Sequence, residues 1–572
     1  MQRRTLILVA ALVAALVLAL AGCQQAAAPA PAPAATAAAI VQTVVVEKPV
    51  EKVVEKVVQQ VVTATPAPTA APKKGGTLVI ARAADSKGLD PHKQTAFSSF
   101  RFFDLVYNTL VGLDKDLKVV PSLAESWTVS PDGRRYSFRL RPGVKWHDGQ
   151  PFSSADVAYS IQELKRANPR GRTTFAGVER VETPDPLTAV MVLSAPAPYL
   201  LRALAAAESP IVPKHVYDKG EAAAAQNASA PVGTGPFRFK QWVRGSHVEL
   251  ERNADYWDRG KPYLERVIFR FSADAAAIAA TLETGAADFS TSVSLADIVR
   301  LQNHPRLHAE ALPSAYLNNI AVVEFNLKNE FFGHTQVRKA VAHAIDLNLL
   351  NKLAYHQFAQ PLGSPIPPTL LPFHDPALKP YKHDVAAANA LLDAAGFKRG
   401  PDGRRFAATI DYFPTPTLKQ VAEYVKAALS RVGIHLTVRS QDLGVFVQRI
   451  YAKREFDLTV NGLGTLFDPT VGVQRLYASK DVGKGIPWIN APGYQNGEVD
   501  TLLGQAAVEQ DNAKRVAQFR RLQAVVMEEL PLLPLVAVPR GTVWNRRVQD
   551  LFSGVEGAAG NLADAWIDTS KP

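Results

Sequence analysis

The sequence predicts a mixed α/β protein with at least two lobes. The folded part begins near Gly75 and continues to the end of the 572-residue chain, a length that exceeds what one hydrophobic core can organise. Strand-like and helix-like segments alternate along it, most regularly between about Leu312 and Val538. Such alternation is typical of sheets covered by helices. No internal repeat of solenoid length accompanies it, which argues against a repeat architecture.

The individual elements follow from the spacing of apolar residues and from the residues that begin and end helices. Short runs rich in β-branched and aromatic residues predict strands at GGTLVIARA, YSFRLR, TAVMVLS, HVELERN, RVIFRF, HLTVRS and FDLTVNG. Helical periodicity, often with Ser, Thr or Asp before it and Gly after it, predicts helices at SADVAYSIQELKRA, TQVRKAVAHAIDLNLLNKLA, DVAAANALLDAAG, TLKQVAEYVKAALSRVG, EVDTLLGQAAVE and AKRVAQFRRLQAVVMEEL.

The N-terminus has the pattern of an export signal. Arg3 and Arg4 precede an uninterrupted apolar run from Leu6 to Leu20, which is shorter than a membrane-spanning helix. We therefore interpret residues 1–22 as a signal peptide. The only cysteine of the chain, Cys23, follows this run after Ala21 and Gly22. A lone cysteine excludes an internal disulfide framework and a CxxC metal or redox site.

The next segment, residues 23–74, predicts a spacer. Its ends are rich in Ala and Pro, which cannot build a core. Its middle repeats Val at helical spacing between Lys and Glu, so a short self-associating helix is the alternative. Val is a poor helix former and Pro49 interrupts the repeat, which favours a solvated spacer. A flexible coil of this length would reach on the order of 40 Å.

The motifs that would indicate an enzyme or a metal site are weak. His147 and Asp148 are adjacent in WHDGQPF, but neighbours on an extended chain point to opposite sides. Asp148-Gly149 reads instead as a turn, followed by a helix from near Ala155. His304 and His308 stand four apart, yet Pro305 separates them and no Glu accompanies them, which argues against a zinc helix. The common hydrolase and nucleotide-binding motifs are absent from the sequence.

These observations predict that the chain has no catalytic residues, metal or cofactor. The formal net charge is +11, but the Lys and Arg residues are dispersed rather than arrayed with aromatic residues on one element. We therefore expect no nucleic-acid partner. The surplus of positive charge favours, at most, contact with an anionic membrane surface.

Ordered blocks over some 460 residues resemble the extracytoplasmic solute-binding proteins of family 5, the dipeptide-, oligopeptide- and nickel-binding partners of ABC importers. The resemblance is carried by GGTLVIARAADSKGLDPHKQ, by LVYNTLVGLDKDLKVVPSLAESWTVSPDGRRYSFRLRPGVKWHDGQPFSSADVAYSIQ, by PVGTGPFRFKQWVRGSHVELERNADYW, by EFNLKNEFFGHTQVRKAVAHAID, by GYQNGEVDTLL and by EELPLLPLV. Leu20-Ala21-Gly22-Cys23 in turn resembles the lipobox of bacterial lipoproteins, in which the cysteine sulfur carries the lipid.

The resemblance implies a two-lobed clamp of the periplasmic-binding-protein type, type II, with an extra subdomain. Residues 75–312 would form lobe I with that subdomain, residues 313–539 lobe II, and residues 540–572 a C-terminal return to lobe I. The hinge would lie near Pro313 to Asn319 and near Pro534 to Arg540. A solute bound between the lobes would stabilise the closed form, which an ABC permease with its ATPase subunits would recognise. We expect a monomer, lipid-anchored at Cys23 on the outer face of the cytoplasmic membrane, in the periplasmic space.

The resemblance also points to a site in NGLGTLFDPTVGVQRLY, residues 461–477. Asp468-Pro469 has the pattern of a helix N-cap followed by proline, which would turn free N–H groups toward the cleft. In peptide-binding members, an aspartate four positions before this proline captures the α-amino group of the ligand. That position is Thr465 here, which carries no charge. The main reason to expect a ligand with a free peptide N-terminus is therefore missing.

Further cleft candidates follow position by position from the same comparison. Asp85 would offer an alternative carboxylate beside Ser86, and Phe97 and Leu443 would occupy the places of aromatic walls. The full predicted set comprises Asp85, Ser86, Phe97, Leu443, Asn461, Leu463, Thr465, Phe467, Asp468 and Arg540. Peptide-like solutes, oligosaccharides and nickel chelates all remain open as ligands. A receptor module that passes the closed state to a signalling partner is the alternative function.

Overall fold

The computed structural model describes residues 71–572 apart from 87, 94–96, 169, 206–208, 315, 484, 553–559 and 572, and it leaves out the side chains of 97, 98, 100 and 101. Residues 1–70, and with them the predicted signal peptide, Cys23 and nearly all of the spacer, lie outside the described residues. One compact unit extends from Pro72 to Pro572.

Its described strands form two large sheets, one four-stranded sheet and two two-stranded sheets. Numbered in chain order, the described strands are β1 (Thr77–Arg82), β2 (Val111–Leu113), β3 (Val119–Pro121), β4 (Ala124–Val129), β5 (Arg135–Leu140), β6 (Val178–Asp185), β7 (Thr188–Leu193), β8 (Phe237–Val243), β9 (His247–Arg252), β10 (Arg266–Phe271), β11 (Phe289–Ser290), β12 (Leu307–Pro313), β13 (Asn319–Phe325), β14 (Gln360–Pro361), β15 (Phe406–Tyr412), β16 (Ile434–Ser440), β17 (Leu458–Gly464), β18 (Leu532–Ala537), β19 (Pro539–Asn545), β20 (Val548–Gln549) and β21 (Trp566–Ile567). The two-stranded sheets are β2-β3 and β20-β21.

The helices flank these sheets. Before β13, the α-helices span Phe97–Val106, Ser154–Ala167, Gly171–Thr174, Leu200–Ala203, Lys214–Tyr217, Glu221–Asn227, Ala275–Thr284 and Leu295–Leu301. After β13, they span Thr335–Ala344, Leu347–Tyr355, Val385–Ala394, Pro416–Ser430, Leu443–Val447, Pro469–Gly472, Gln474–Tyr477, Gly497–Val508 and Asn512–Glu529, with a π-helical segment at Gln448–Lys453 and a 3-10 turn at Ser479–Asp481. No described helix is both long enough and apolar enough to cross a bilayer.

The first large sheet has seven strands in the order β12-β19-β11-β1-β10-β9-β8. Strand β1 is parallel to β10 and β11, whereas β19 is antiparallel to β11 and β12. Alternate residues of β1 pack into different cores, Leu78 and Ile80 into one and Ala81 into the other. This period of two is expected of a strand covered on both faces. We call this sheet and its packed helices the first lobe.

The second large sheet has six strands in the order β14-β18-β13-β17-β15-β16. Strand β15 is parallel to β16 and β17, and β13 is antiparallel to β17 and β18. Val323 and Phe325 of β13 pack on one face, while Ile320 and Val322 pack on the other. Helices therefore cover both faces of this sheet as well. We call this sheet and its helices the second lobe.

A four-stranded antiparallel sheet, β4-β5-β7-β6, forms a small domain together with helix Ser154–Ala167. The helix begins as predicted: Ser153 is its N-cap, and Asp156 accepts a hydrogen bond from the backbone of Ser153 in a capping box. The core of the small domain also takes in Tyr316 and Phe467, the latter from the loop after β17. The small domain is thus packed against the second lobe.

The WHDG segment is a turn, as the sequence predicts. Gly149 adopts a φ of 86°, and its N–H donates to the Trp146 carbonyl. His147 and Asp148 do not contact each other: His147 bonds to the Gly235 carbonyl and the Gly233 N–H, and Asp148 pairs with His215. Burial lowers the pKa of His147 to about 4, so its ring is neutral at pH 7.

One predicted helix differs from the structure. The segment 335–354 was expected to form a single helix, but it divides into Thr335–Ala344 and Leu347–Tyr355. Ile345 is extended, and the Asp346 carboxylate accepts hydrogen bonds from the Asn348 and Leu349 N–H groups. An Asp that can cap a new helix competes with continuation of the old one.

Candidate ligand-binding site

The predicted residues of the first lobe gather at one edge of its sheet. Strands β1 and β11 are parallel, so their carboxyl ends meet at the same edge, and the antiparallel β19 begins there. Asp85 and Ser86 follow β1, and Arg540 is the second residue of β19. The Arg540 Nη2 donates to the Thr291 hydroxyl, just after β11, at 3.0 Å. The chain brings these positions together across more than 450 residues of sequence.

Asp85 makes several contacts within the protein. Its carboxylate accepts hydrogen bonds from the Trp242 indole N–H at 3.0 and 3.2 Å, from the Gly245 N–H at 2.8 Å and from the Ser86 N–H at 2.6 Å. Ser86 is buried and bonds to the Gly88 carbonyl and the Ser99 hydroxyl. In this conformation Asp85 fixes the hairpin between β8 and β9, and its contact with a cationic ligand stays a prediction.

Phe97 is the first residue of helix Phe97–Val106, and its side chain lies outside the described residues. Its predicted role as an aromatic wall is therefore untested. The helix itself packs into the core of the first lobe through Phe102 and Phe103. The backbone that carries Phe97 is thus attached to a rigid element.

The predicted residues of the second lobe also meet at one sheet edge. The parallel strands β15, β16 and β17 all end there, and Leu443 lies three residues after β16 while Thr465 follows β17 directly. Leu443 is 43% exposed and opens a helix that Asp442 caps through the Val445 N–H. An exposed leucine at the carboxyl edge of parallel strands suits a ligand wall.

Thr465 is fully buried and faces the chain crossing rather than solvent. Its hydroxyl donates to the Asn318 carbonyl at 2.9 Å, and its N–H points to the same oxygen at 3.2 Å. The next residue, Leu466, adopts a φ of 57° and donates its N–H to the Leu317 carbonyl. The loop after β17 is therefore held by the segment that links the two large sheets.

Leu463 and Phe467 flank Thr465 in different environments. Leu463 is fully buried beside Val322, Leu476 and Tyr477 in the core of the second lobe. Phe467 is 2% exposed and stacks on Tyr316, with ring centroids 5.4 Å apart. Phe467 thus joins the second lobe to the small domain, while Leu463 supports the loop from beneath.

Asp468 caps helix Pro469–Gly472 as the sequence predicts, through the Thr470 N–H. That helix has four residues, and the carboxylate is fully buried. Arg515 donates to both carboxylate oxygens, at 3.0 and 2.5 Å, and is itself buried against Phe373 and Phe519. Sequence reasoning missed Arg515, because it lies 47 residues away on a helix with no motif of its own.

Asn461 belongs to a buried polar cluster. Its amide donates to the Tyr451 hydroxyl at 2.7 Å and to the Glu324 carboxylate at 3.2 Å. Glu324 lies on β13 and is 1% exposed, and burial raises its pKa to about 7. Neither Glu324 nor Tyr451 was predicted, since a single acid within an apolar strand has no local signal of function.

Three arginines lie where the small domain meets the loop after β17; we call this contact, formed around Tyr316, Leu466 and Phe467, the seam. Arg202 of the small domain directs its Nη1 to the Phe467 carbonyl at 3.4 Å. Arg475 donates to the Gly464 carbonyl at 2.7 Å and to the Gly472 carbonyl at 3.2 Å. Burial, followed by the charge of Arg475, lowers the pKa of Arg170 to about 10. Sequence reasoning missed all three.

Among the described residues, no group of three or more His, Cys, Asp or Glu side chains is arranged to hold a metal ion. His304 lies in a turn, where its Nδ1 accepts the Arg306 N–H, and His308 lies on β12 beside Glu310 and Trp544. The two histidines therefore do not lie on one helix. The described histidines offer no local support for nickel.

The middle of the chain matches a protein family. Residues 118–484 fit the group described as bacterial extracellular solute-binding proteins, family 5. The chain belongs to this family. It is a family 5 substrate-binding protein of an ABC importer, with the two-lobed type II fold, and it is not an enzyme.

Several relatives of this family 5 protein have named ligands. The glutathione-binding protein GsiB of Escherichia coli K12 is 28% identical over 473 residues, which cover 80% of this chain and 88% of that protein. DppA of Helicobacter pylori, solved with the peptide STSA, is 26% identical with a TM-score of 0.75 and covers 87% of this chain and 99% of its own. AgaA of A. tumefaciens R10, solved with agropinic acid, is 26% identical with a TM-score of 0.72 and covers 86% and 99%.

Proposed function

We propose that this family 5 protein captures a peptide-like or other small solute between its two lobes and delivers it to the membrane permease, while a lipid on Cys23 tethers it to the membrane. The observation that supports the proposed capture is the path of the chain between the two large sheets. The chain leaves the first lobe after β12 to enter the second at β13, and it returns between β18 and β19. Two short connections of this kind favour a hinge.

The proposed boundaries follow from the same course. Residues 75–312 form lobe I with its extra subdomain, 313–539 form lobe II, and 540–572 return to lobe I. Opening and closing would bend the segments from Pro313 to Asn319 and from Pro534 to Arg540. A solute that touches the edges of both sheets favours the closed form by its differential affinity for that form.

The proposed contacts lie at those two edges. From lobe I they are Asp85, Ser86, Phe97 and Arg540, and from lobe II they are Leu443, Asn461, Leu463, Thr465, Phe467 and Asp468. Relatives with similar folds bind glutathione, the peptide STSA and agropinic acid, three different solutes. The ligand therefore depends on individual side chains rather than on the fold.

Small-angle scattering of the chain from residue 24 onward tests the capture. A panel should contain glutathione, short peptides, oligosaccharides and Ni(II)-histidine, and one solute is expected to reduce the radius of gyration. Native mass spectrometry of the gently purified protein would show a molecule that co-purifies. If no solute binds or compacts the protein, the proposed capture is wrong.

The anchor makes a separate prediction. In a bacterial host that is fed an alkyne fatty acid, the wild-type chain should carry the label and sediment with membranes. Cys23→Ser should lose the label and appear in the soluble exported fraction, because no other cysteine can take the lipid. Label that persists in Cys23→Ser would contradict lipidation at this residue.

A further inference from the structure

An open groove of about 550 Å³ lies on the first lobe, at the end of β19 that points away from the proposed cleft. His308 of β12 stands directly opposite Trp544 of β19. Their neighbours Leu307 and Val543 are fully buried in the core on the other face of the sheet, so His308 and Trp544 share the outer face. We call this groove, lined by His308, Trp544, Arg546, Phe552 and Lys571, the distal groove.

Three aromatic rings form one wall of the distal groove. The ring centroids of His308 and Trp544 lie 4.1 Å apart, and the edge of Phe552 meets Trp544 at a centroid distance of 4.6 Å. Trp544 is half-buried and Phe552 is 37% exposed. Aromatic side chains with a polar edge are suited to the boundary between water and hydrocarbon. The wall therefore combines apolar surface with polar ring edges.

Cationic side chains surround the distal groove. Arg546 and Lys571 line it, and both are exposed. The Lys571 ammonium donates to the Gln549 amide oxygen at 3.1 Å and lies 4.0 Å from the Asp568 carboxylate. Lys73 reaches the same carboxylate at 3.9 Å. One carboxylate thus holds together two lysines from opposite ends of the described chain, at the rim of the groove.

The carboxylates near the distal groove have partners within the protein. Asp568 is buried, and Asp550 accepts the Trp566 indole N–H at 2.8 Å. Glu310 lies 3.2 Å from the His308 ring and is half-buried. Of the charged side chains at the rim, the exposed ones are Asp550 on the acidic side and Lys73, Lys74, Arg546 and Lys571 on the basic side. The exposed rim is therefore positively charged.

The chain that leads from Cys23 joins the folded unit beside the distal groove. The described residues begin at Ala71, and Lys73 is already bound at the rim through Asp568. A lipid on Cys23 would therefore keep this groove, through a flexible coil on the order of 40 Å long, close to lipid headgroups. Contacts too weak to bind a free protein become populated at the high effective concentration that a tether provides.

We propose that the distal groove docks the first lobe on an anionic lipid surface, with its aromatic rings at the level of the headgroups and with Arg546 and Lys571 against the lipid phosphates. This inference rests on the proposed lipid anchor. Trp544 lies four residues beyond Arg540 on β19, which is about 13 Å along the strand. Docking therefore turns the cleft edge away from the membrane and leaves it open to solute.

The single thiol of the chain allows the tether to be supplied chemically. The mature chain from Cys23 onward is coupled through this thiol to a maleimide lipid. The vesicles contain brominated phosphatidylcholine, with or without brominated phosphatidylglycerol. Bromine quenches tryptophan emission on contact, so docking on the anionic vesicles should remove about one seventh of the emission, the share of Trp544 among seven tryptophans. Neutral vesicles should not quench, and high salt should weaken the effect.

Variants then locate the surface. Trp544→Phe should abolish the quenching, because it removes the reporter from the groove. Combining Arg546→Gln with Lys571→Gln should lower the ratio of docked to undocked protein by about tenfold, as expected when two basic residues leave an anionic surface. The matched control combines Lys419→Gln with Lys426→Gln, which removes the same charge from exposed positions on one helix of the second lobe and should leave the ratio unchanged. Thermal unfolding checks that each variant is folded.

The outcomes separate this inference from the proposed anchor. Equal quenching in neutral and anionic vesicles, or no quenching in either, would overturn the docking surface. A groove that binds a second copy instead would give dimers in sedimentation velocity without vesicles, lost in Trp544→Ala, and this would also overturn it. Because the tether is supplied chemically, these results do not depend on lipidation in the cell. Failed metabolic labelling of the wild-type chain would overturn the anchor alone.

Discussion

Glu324 lies in the interior of the second lobe, bonded to an amide and a phenol rather than to a cation. Water is excluded around it, which disfavours the ionised form and raises the pKa of the carboxyl from 4.5 to about 7. The folded protein therefore holds a proton between these pH values that the unfolded chain has released. The free energy of unfolding should fall as the pH rises through this window.

Glu324→Gln should remove this loss. The amide oxygen can still accept from Asn461, and no charge needs to be buried above pH 7. At pH 8 the variant is expected to be more stable than wild type by on the order of 2 kcal/mol, with little gain at pH 4.5. Urea titrations at both pH values measure the difference.

Glu182→Gln is the matched control, because Glu182 is an exposed carboxylate paired with Arg135 and Arg180. Glu182→Gln should not raise the free energy of unfolding at pH 8. If Glu324→Gln were as stable as wild type at every pH, Glu324 would not be a buried acid with a raised pKa.

Residues of this kind mark the limit of what sequence can predict. The family resemblance assigned Thr465 and Leu443 to one site, and both follow strands that the hydrophobic pattern predicts. Glu324 and Arg475 could not be predicted, because their roles depend on partners such as Asn461, 137 residues from Glu324, and on carbonyl groups that any residue supplies. Every residue has a backbone carbonyl group, so the sequence does not show which of these groups accept hydrogen bonds from an arginine.

At the scale of elements, the loop after β17 fits closely against the short helix that follows it. A Cβ atom on Gly472 would lie 1.8 Å from the Thr465 carbonyl oxygen, so a glycine is needed at this contact. The same loop is bonded to the chain crossing through Asn318 and Leu317. The loop, the helix and the segment that links the two large sheets are therefore coupled through direct contacts.

Gly472→Ala should displace Thr465 and disturb the site. We expect a loss of about 1 to 3 kcal/mol in the free energy of unfolding, as for overpacked interiors, and weaker solute binding. Gly462→Ala on β17 is the control, since its added methyl group meets no atom within 4 Å. Denaturation and titration of both variants give the comparison, and equal behaviour would contradict the close contact.

The ion pair of Asp468 with Arg515 links helix Pro469–Gly472 to helix Asn512–Glu529. Arg515→Met should lower the free energy of unfolding by about 3 to 5 kcal/mol, because the carboxylate of Asp468 is left unpaired in the interior. Adding Asp468→Asn should recover part of this loss, since the orphan charge disappears while a capping oxygen remains. Chemical denaturation of the single and double variants measures both effects. A loss of less than about 1 kcal/mol in the free energy of unfolding, which is typical of exposed ion pairs, would contradict the prediction that this ion pair stabilises the interior.

Element boundaries were predicted well where caps are local. The helices at Ser154–Ala167 and Asn512–Glu529 begin where Ser153 and Asp511 cap them, within a residue or two of the predicted starts. The break at Asp346 was missed, because an apolar stripe continues across it and the cap competes with that stripe. The sequence pattern alone does not reveal whether the apolar stripe continues the helix or Asp346 begins a new one.

At the scale of the whole molecule, the first lobe is discontinuous in sequence. Strand β19 lies between β11 and β12 in its sheet and pairs with β12 over seven residues. The alternation of strand and helix predicted two or more lobes, but pairing partners more than 200 residues apart are not visible in a pattern. The C-terminal return came from the family resemblance.

A chain that ends at Val538 should leave the first lobe unfinished. Without β19, strands β11 and β12 lose their shared neighbour and Val543 leaves the core. We expect this truncation to be protease-sensitive in residues 75–312, whereas the second lobe stays protected. Limited proteolysis with mass spectrometry maps the cleavage sites, and protection of both lobes would contradict a structural need for β19.

The position of β19 also affects the order in which the two lobes can fold. The sheet that contains β1 cannot close until β19 (Pro539–Asn545) has been made, so folding of the first lobe must wait for this strand while the second lobe can proceed. A polypeptide destined to pass through a membrane in an unfolded state benefits from such a delay. The topology that links the two lobes would therefore keep the first lobe unfolded, and the chain competent for export, until β19 has been made.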